Sequence, residues 1–323
     1  MLLRFSALGD VILLRPTVDS LLELYSNVTI WIVSNKKNQS LFNHHERVKF
    51  IGVDLGNNIF KIFIQIKQQI SGVNFDVVYD LHDVIRSKII RLLLVNKTQK
   101  TRVFYKKRSL KKQIIDKKIK LTQLKHSSER YANCLKNDFP KIDFSSFKKV
   151  LKFKGKKKNT IGIAPFAAHE SKQWELTNYF YIFKKYDTYN FIIFAFGKKE
   201  RLTTEKLFLK FKNVEIISNK SEITEQMELI NECKVFLSMD SANMHLASLT
   251  STAVVSIWGP THPFLGFGPL FNEKYIVQLN KLSCRPCSIY GKIKNKHKEC
   301  AKKSMSGISP KMVVGKIELA LKN

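Results

Sequence analysis

Val235-Phe236-Leu237-Ser238-Met239-Asp240-Ser241-Ala242-Asn243-Met244-His245-Leu246-Ala247 runs from an uncharged, mostly apolar stretch into a polar turn and then into a helical pattern. A strand apolar along its whole length is covered on both faces, and sheets covered that way are parallel, with helices packed on each side. The same alternation extends outward through the second half, with strands expected at Thr160–Ala164, Asn190–Phe196, Val214–Ser218 and Ala253–Trp258. In the first half, strands are expected at Leu2–Phe5, Val28–Val33, Val48–Val53 and Phe75–Asp80. Apolar residues at Val11, Leu14, Val18, Leu21 and Leu22 predict a helix over Val11–Tyr25. The expected fold class is therefore α/β: two Rossmann-like domains, their parallel sheets facing across a cleft. A Lys-rich linker at Phe147–Asn159 divides residues 1–152 from 153–323, with the last helix free to cross back to the first domain.

Composition agrees. A chain of 323 residues suits two domains at roughly 150 residues each. Hydrophobic residues at 44% and charged residues at 25% exclude a disordered or collagen-like chain. The charge is unusual: 56 Lys and Arg against 26 Asp and Glu leave a net +30, which calls for an anionic partner. Nucleic acid, an acidic membrane surface and a phosphorylated small molecule all qualify. No apolar run, Phe191–Phe196 included, approaches the roughly 20 residues that cross a bilayer. Asp10 and Arg15 interrupt the apolar N-terminus, which therefore does not read as a secretory signal. Five cysteines, with Cys134 and Cys233 standing alone, do not make a disulfide framework. The expected location is the cytoplasm, with room for a peripheral position on the inner membrane.

In open α/β sheets, ligands bind beyond the carboxyl ends of the strands, so the segments just after strands are the ones to read. Ser6-Ala7-Leu8-Gly9-Asp10 combines small residues for a tight turn with a carboxylate at a helix start. The plain reading of Asp10 is an N-cap. Pro165 through Trp174 follows the next strand and offers Ser171 and Lys172 to a phosphate, though a lysine in a Lys-rich chain usually faces solvent. The third segment holds Asp240, Ser241 and His245, for which a capping Asp and a structural His are the plain alternatives. Together they put a carboxylate on one half and phosphate-binding groups on the other. A nucleotide-sugar transferase needs that division, because an acceptor hydroxyl must lose a proton while a departing diphosphate has its charge compensated.

Five stretches carry a family resemblance: Arg4-Phe5-Ser6-Ala7-Leu8-Gly9-Asp10-Val11, Tyr79-Asp80-Leu81-His82 with Arg86-Ser87, Ser171-Lys172-Gln173-Trp174, Met239 through Ala247, and Ile257-Trp258-Gly259-Pro260-Thr261. In order and spacing the chain resembles glycosyltransferase family 9, the lipopolysaccharide heptosyltransferases and their relatives, which have the GT-B fold. The resemblance implies that Asp10 is the base for inverting transfer and that Lys172 neutralises the donor diphosphate. It implies donor contacts from Ser171, Asp240, Ser241, Ala242 and His245. Glu200 matches, loosely, an acidic residue that holds the ribose, against the plain reading of a solvated Glu at a helix start. Gly9, Arg86, Arg102, Lys106, Lys107 and Arg108 are the expected acceptor-binding residues. The implied donor is ADP-heptose, and the implied acceptor is an anionic glycolipid of the cell envelope.

The chain departs from the family in three places. Only Met1-Leu2-Leu3 precede Arg4, so either the first strand is short or the start is trimmed. Ala242 stands where many members have Gly, which requires a backbone there without positive φ. Cys284, Cys287 and Cys300 resemble a family cysteine cluster that has lost a middle member. With His297 they read as C-x2-C-x9-H-x2-C, chemically sufficient for zinc, although the short spacing and surrounding lysines favour a reduced loop or a disulfide.

No Asp-x-Asp, G-x-G-x-x-G or G-x-x-x-x-G-K-[ST] occurs. The expectation is a transferase without a cofactor or metal, in which Lys172 and helix-start amides meet the diphosphate. Basic runs at Lys106–Arg108, Lys111-Lys112, Lys117-Lys118, Lys120 and Lys156–Lys158 read either as a solvated face or as contacts to the acceptor lipid and the membrane. A basic nucleic-acid binder is the competing class, but the aromatics lie within apolar patterns, not among the basic runs, so no nucleic-acid partner is expected. A non-catalytic nucleotide-sugar-binding relative is the remaining alternative.

Overall fold

The computed structural model describes residues 1–151, 153, 155–218 and 222–322, so Lys152 and Lys154 of the expected linker and boundary lie outside the described residues. The chain forms two compact units, residues 1–107 with 125–151 and residues 108–124 with 152–323. This differs from the expected division by the excursion of 108–124 into the second unit.

The first unit is built on β1 (Leu2–Leu3), β2 (Ile30–Asn35), β3 (Val48–Val53), β4 (Phe75–Asp80) and β5 (Thr98–Val103). All pairings are parallel, and the strand order is β3-β2-β1-β4-β5. The first strand has two residues. The long helix expected over Val11–Tyr25 divides into α1 (Leu8–Ile12) and α2 (Arg15–Leu24). Pro16 causes the break: it has no N–H to continue α1, yet its fixed φ suits the first turn of α2. Next come α3 (Ile59–Gln69) and α4 (Ile85–Leu93), whose Ile62, Ile66 and Ile90 pack with Leu3, Val33, Ile51 and Val78 in the core. β5 was not expected, because an edge strand of sequence Thr-Gln-Lys-Thr-Arg-Val needs little apolar character.

The chain then enters the second unit as α5 (Arg108–Ile115) before returning to the first with α6 (Ser127–Leu135) and α7 (Phe147–Val150). Ile114, Ile115 and Leu124 cluster with Leu265, and the Leu124 N–H donates to the Phe264 carbonyl at 2.8 Å. Lys111 is buried, its ammonium 4.7 Å from the centre of the Phe267 ring. The basic run read as one solvated face is thus shared between units, and part of it is core.

The second unit has β6 (Thr160–Ala164), β7 (Asn190–Phe194), β8 (Val214–Ile217), β9 (Val235–Met239), β10 (Ala253–Trp258) and β11 (Ile276–Gln278). The order is β11-β10-β9-β6-β7-β8, again all parallel. Its helices are α8 (Tyr179–Lys185), α9 (Lys198–Phe208), α10 (Ile223–Glu232), α11 (Ala242–Ala247), α12 (Lys298–Ser306) and α13 (Pro310–Leu321). Gly162 in β6 is needed for packing, since a Cβ there would lie 2.5 Å from the Phe236 ring. The last helix, α13, packs Val313, Val314, Ile317 and Ala320 into the second unit's own core.

Strand order reverses between β1 and β4 in the first sheet and between β6 and β9 in the second. A crevice opens at the carboxyl edge of such a switch point. The segments singled out from the sequence follow these four strands.

Phe183 anchors the second core, its ring 4.8, 5.2 and 4.9 Å from those of Phe191, Phe208 and Phe211. Phe183→Ala should destabilise that unit by about 3–5 kcal/mol in denaturant unfolding. A loss under about 1 kcal/mol would contradict the packing described.

Candidate functional site

In the first unit, Ala7 takes the N-cap position of α1, so Asp10 is not the cap. Asp10 sits in the first turn, with its carboxylate paired to the Arg4 guanidinium. Arg4 is buried and held from behind: its Nη1 donates to the Leu81 carbonyl at 2.7 Å, and its guanidinium lies 5.9 Å from the Tyr131 ring centre. The Tyr131 hydroxyl donates to the Asp10 carbonyl at 3.4 Å. The Asp10 side chain is still 38% exposed, so a carboxylate aimed by a fixed arginine keeps one edge open to a ligand.

The neighbouring β4–α4 turn is organised by Asp80. Its buried carboxylate accepts from the N–H groups of His82 and Asp83 at 3.0 and 2.8 Å and from the Ser87 hydroxyl at 3.0 Å. Asp80 and Ser87 shape the loop, and the Leu81 carbonyl that this loop presents is the one holding Arg4.

The expected acceptor-binding cations do not form one cluster. Arg86 donates to the Leu55 carbonyl at 3.1 Å, and Arg102 pairs with Asp138 at 3.2 Å. Lys106 and Lys107 end the first unit half-buried, whereas Arg108 is exposed and opens α5 in the second. Gly9 lies in α1 beside Asp10.

In the second unit, Lys172 closes a short 3-10 turn, Glu170–Lys172, after β6. Its Nζ lies 3.3 Å from Asp240 Oδ2, and both side chains are buried, so Lys172 does not face solvent. The other members of the Ser171–Trp174 motif fasten this turn. The Ser171 hydroxyl donates to the Gly291 carbonyl at 2.6 Å, Gln173 Nε2 to the Ala167 carbonyl at 2.9 Å, and Trp174 Nε1 to the Ile308 carbonyl at 2.9 Å. Gly291 has φ 109° and passes against the lysine stem, where a Cβ would lie 3.0 Å from Lys172 Cγ and Cδ. Only glycine suits both constraints.

Asp240 directly follows β9, with its carboxylate against Lys172. The Thr261 hydroxyl donates to Asp240 Oδ2 at 2.7 Å. Ser241 is the N-cap position of α11, Ala242 begins that helix without a positive φ, and His245 is buried on it. Glu200 lies in the first turn of α9, as its plain reading has it, but is half-buried there and accepts the Phe196 N–H at 2.9 Å. Burial raises its pKa above the ordinary glutamate value, opposed in part by that hydrogen bond.

Thr261, Arg285 and Gly291 were not among the expected site residues. Arg285 is buried and donates to the carbonyls of Gly259, Leu279 and Thr261 and to Gln278 Oε1. Burial pushes its pKa down to about 10, which leaves it charged at neutral pH. Lys117 Nζ donates to the Arg285 carbonyl at 2.8 Å. Arg285 is tied to the Lys172–Asp240 pair through Thr261, whose carbonyl it holds and whose hydroxyl donates to Asp240.

The zinc reading of the cysteine cluster does not hold. Cys284 and Cys300 are joined in a disulfide, with the Cys287 Sγ 3.0 Å from that of Cys300. Two of the four candidate ligands, which include His297, therefore lack a free thiolate. Among the described residues no group of three or more His, Cys, Asp or Glu side chains is arranged to hold a metal ion.

His262, next to Thr261, has its pKa pushed from 6.5 down to about 4 by burial, with Arg285 and Lys117 adding repulsion. It is neutral in the fold, so between pH 6.5 and about 4 the unfolded chain binds more protons. Stability should therefore fall as pH drops through that window. His262→Asn keeps an acceptor for the Phe264 N–H and should flatten the fall in a series of melts from pH 7 to 4. An unchanged pH slope would contradict it.

Residues 63–298 match Glycosyltransferase family 9 (heptosyltransferase). Across 98% of this chain and 96% of the relative, the sequence is 24% identical to lipooligosaccharide heptosyltransferase 2 of Campylobacter jejuni. The fold is shared with E. coli heptosyltransferase WaaC with ADP, at a TM-score of 0.74 and 14% identity over 99% of this chain and 98% of that one. It is also shared with E. coli ADP-heptose lps heptosyltransferase II, at 0.69 and 16% over 99% and 98%. These are GT-B structures, and the two parallel sheets found in this chain are of that type. The matched stretch takes in the Asp80 turn, Lys172 with its fastening residues, Asp240, Thr261 and Arg285, and on that match the chain belongs to glycosyltransferase family 9.

Proposed function

We propose that this enzyme transfers heptose from ADP-heptose to a lipopolysaccharide-core acceptor, with inversion at C1. The observation that carries the reading is the buried Lys172–Asp240 pair fixed by Thr261 at the second sheet's switch point. A lysine held in that place, with Arg285 fixing the Thr261 backbone, suits a leaving diphosphate better than a neutral ligand. The names of the relatives supply the sugar and the nucleotide.

In the proposed reaction, Asp10 takes the proton from the acceptor hydroxyl as its oxygen attacks C1 from the face opposite ADP. The bond between C1 and the β-phosphate oxygen breaks, and Lys172 receives the developing charge. Protein cations do this work, with the amides at the start of α11 beside them. Asp240 acts on Lys172 and does not touch the donor, since a carboxylate against a diphosphate would repel it. Glu200 is the proposed ribose contact, and Arg4 the residue that aims Asp10. The setting would be the cytoplasm, at the surface of the inner membrane.

Asp10→Ala should lower kcat by about 100- to 10,000-fold while ADP affinity, measured by calorimetry, stays within twofold. Turnover close to wild type would rule Asp10 out as the base. Replacing Lys172 alone would strand a buried carboxylate, so the pair is best removed together. Lys172→Ala with Asp240→Ala should weaken ADP binding by about tenfold or more and AMP binding far less. Equal losses for ADP and AMP would show that the pair does not serve the diphosphate.

A further inference from the structure

Within the first unit, α3 and α4 pack as neighbours and bury one face each, through Ile62 and Ile66 and through Ser87 and Ile90. Their opposite faces are apolar as well. Phe60 is 72% exposed with Ile64 one turn on, and Ile85 at 80% is followed two turns on by Leu92 at 68%. Large apolar side chains repeated at helical spacing along an outward stripe are not the ordinary scatter of surface hydrophobics.

The charges on the two helices themselves have one sign. Neither helix contains Asp or Glu. Of their cations, Arg86 and Arg91 turn inward, to the Leu55 carbonyl and Asp80. Lys61, Lys67 and Lys88 remain exposed beside the apolar residues. The nearby Asp83 is occupied by Lys88 at 3.6 Å. A second copy of this chain would bring the same lysines against one another, so the face opposes self-association. A bilayer with anionic headgroups complements it: apolar side chains enter the interface while lysines meet phosphates. Among the described residues no helix is long and apolar enough to cross a membrane, so the attachment would be peripheral. Phe60 and Ile85 lie at the starts of helices that follow β3 and β4, on the sheet edge that also bears the Asp10 turn.

We propose that the outward stripes of α3 and α4 dock the first unit on an anionic bilayer, where Phe60, Ile64, Ile85 and Leu92 insert and Lys61, Lys67 and Lys88 hold headgroup phosphates. This deepens the reading of a lipid-linked acceptor and rests on it, because docking brings the Asp10 edge to the surface where such an acceptor lies.

Co-sedimentation of the full chain with phosphatidylglycerol/phosphatidylethanolamine vesicles, against phosphatidylcholine vesicles, tests it. Wild type should bind the anionic vesicles at least tenfold more tightly. The triple variant Phe60→Ser, Ile64→Ser, Ile85→Ser should lose at least tenfold at unchanged melting temperature and ADP affinity, and Lys61→Glu, Lys67→Glu, Lys88→Glu should lose as much. No wild-type binding, or equal binding by either variant, would overturn the proposal. So would a wild-type dimer that the serine variant converts to monomer with vesicle binding intact, since the face would then serve a second copy. Transfer to a delipidated, soluble acceptor should be the same for wild type and the serine variant. If wild type binds vesicles as expected but transfers to no acceptor, the docking face stands and the assigned reaction falls.

Discussion

Lys172 and Asp240 are opposite charges that the second unit has taken largely out of water, 3.3 Å apart. Such a pair is weak evidence for stability, because desolvation of both ions offsets most of their attraction. Its geometry therefore has to be maintained by everything around it. Thr261 fixes the carboxylate, Gly291 leaves room for the lysine stem, and Gln173 and Trp174 tie down the turn from which the lysine projects. Arg285 in turn holds the Thr261 backbone. In the proposed reaction this architecture keeps an ammonium in place for an anion that arrives and leaves.

The two sheets explain where the proposed chemistry sits. Each reverses its strand order beside its first strand, β1 in one unit and β6 in the other. In each case the two strands flanking the reversal lead into the segments singled out, with Asp80 at the end of β4 and Asp10, Lys172 and Asp240 in the turns and helix starts that follow β1, β6 and β9. The first unit uses a buried arginine to aim a carboxylate, and the second uses a buried carboxylate to aim a lysine. Both devices fix a charge by pairing it from the protein side while leaving its function to the ligand side.

Much of this was legible in the sequence because strands of a parallel sheet covered by helices are rich in apolar residues. Val48–Val53, Phe75–Asp80, Thr160–Ala164, Val235–Met239 and Ala253–Trp258 were expected at the boundaries found. Asp10, Lys172 and Asp240 stood out because they follow such strands. What was hidden depends on contacts between distant residues. Ser171 meets Gly291 across 120 positions, and Thr261 meets Asp240 across 21, with no local pattern announcing either. The basic run misled for a related reason: Lys111 and Lys117 look solvated in sequence, but one covers an aromatic ring and the other a pair of carbonyls. Arg102 looked free for an acceptor until Asp138 was placed beside it. The cysteines fitted a metal in spacing, and a disulfide between the outer two removed that option.

The account turns on Lys172 as the anchor of a nucleoside diphosphate, and a crystal structure of the chain with ADP addresses that directly. The β-phosphate should lie within hydrogen-bonding distance of Lys172 Nζ, with the ribose toward Glu200 and the Asp240 carboxylate still on Thr261. ADP seated elsewhere in the second unit, with the Lys172–Asp240 pair closed and its ammonium out of reach of either phosphate, would contradict it.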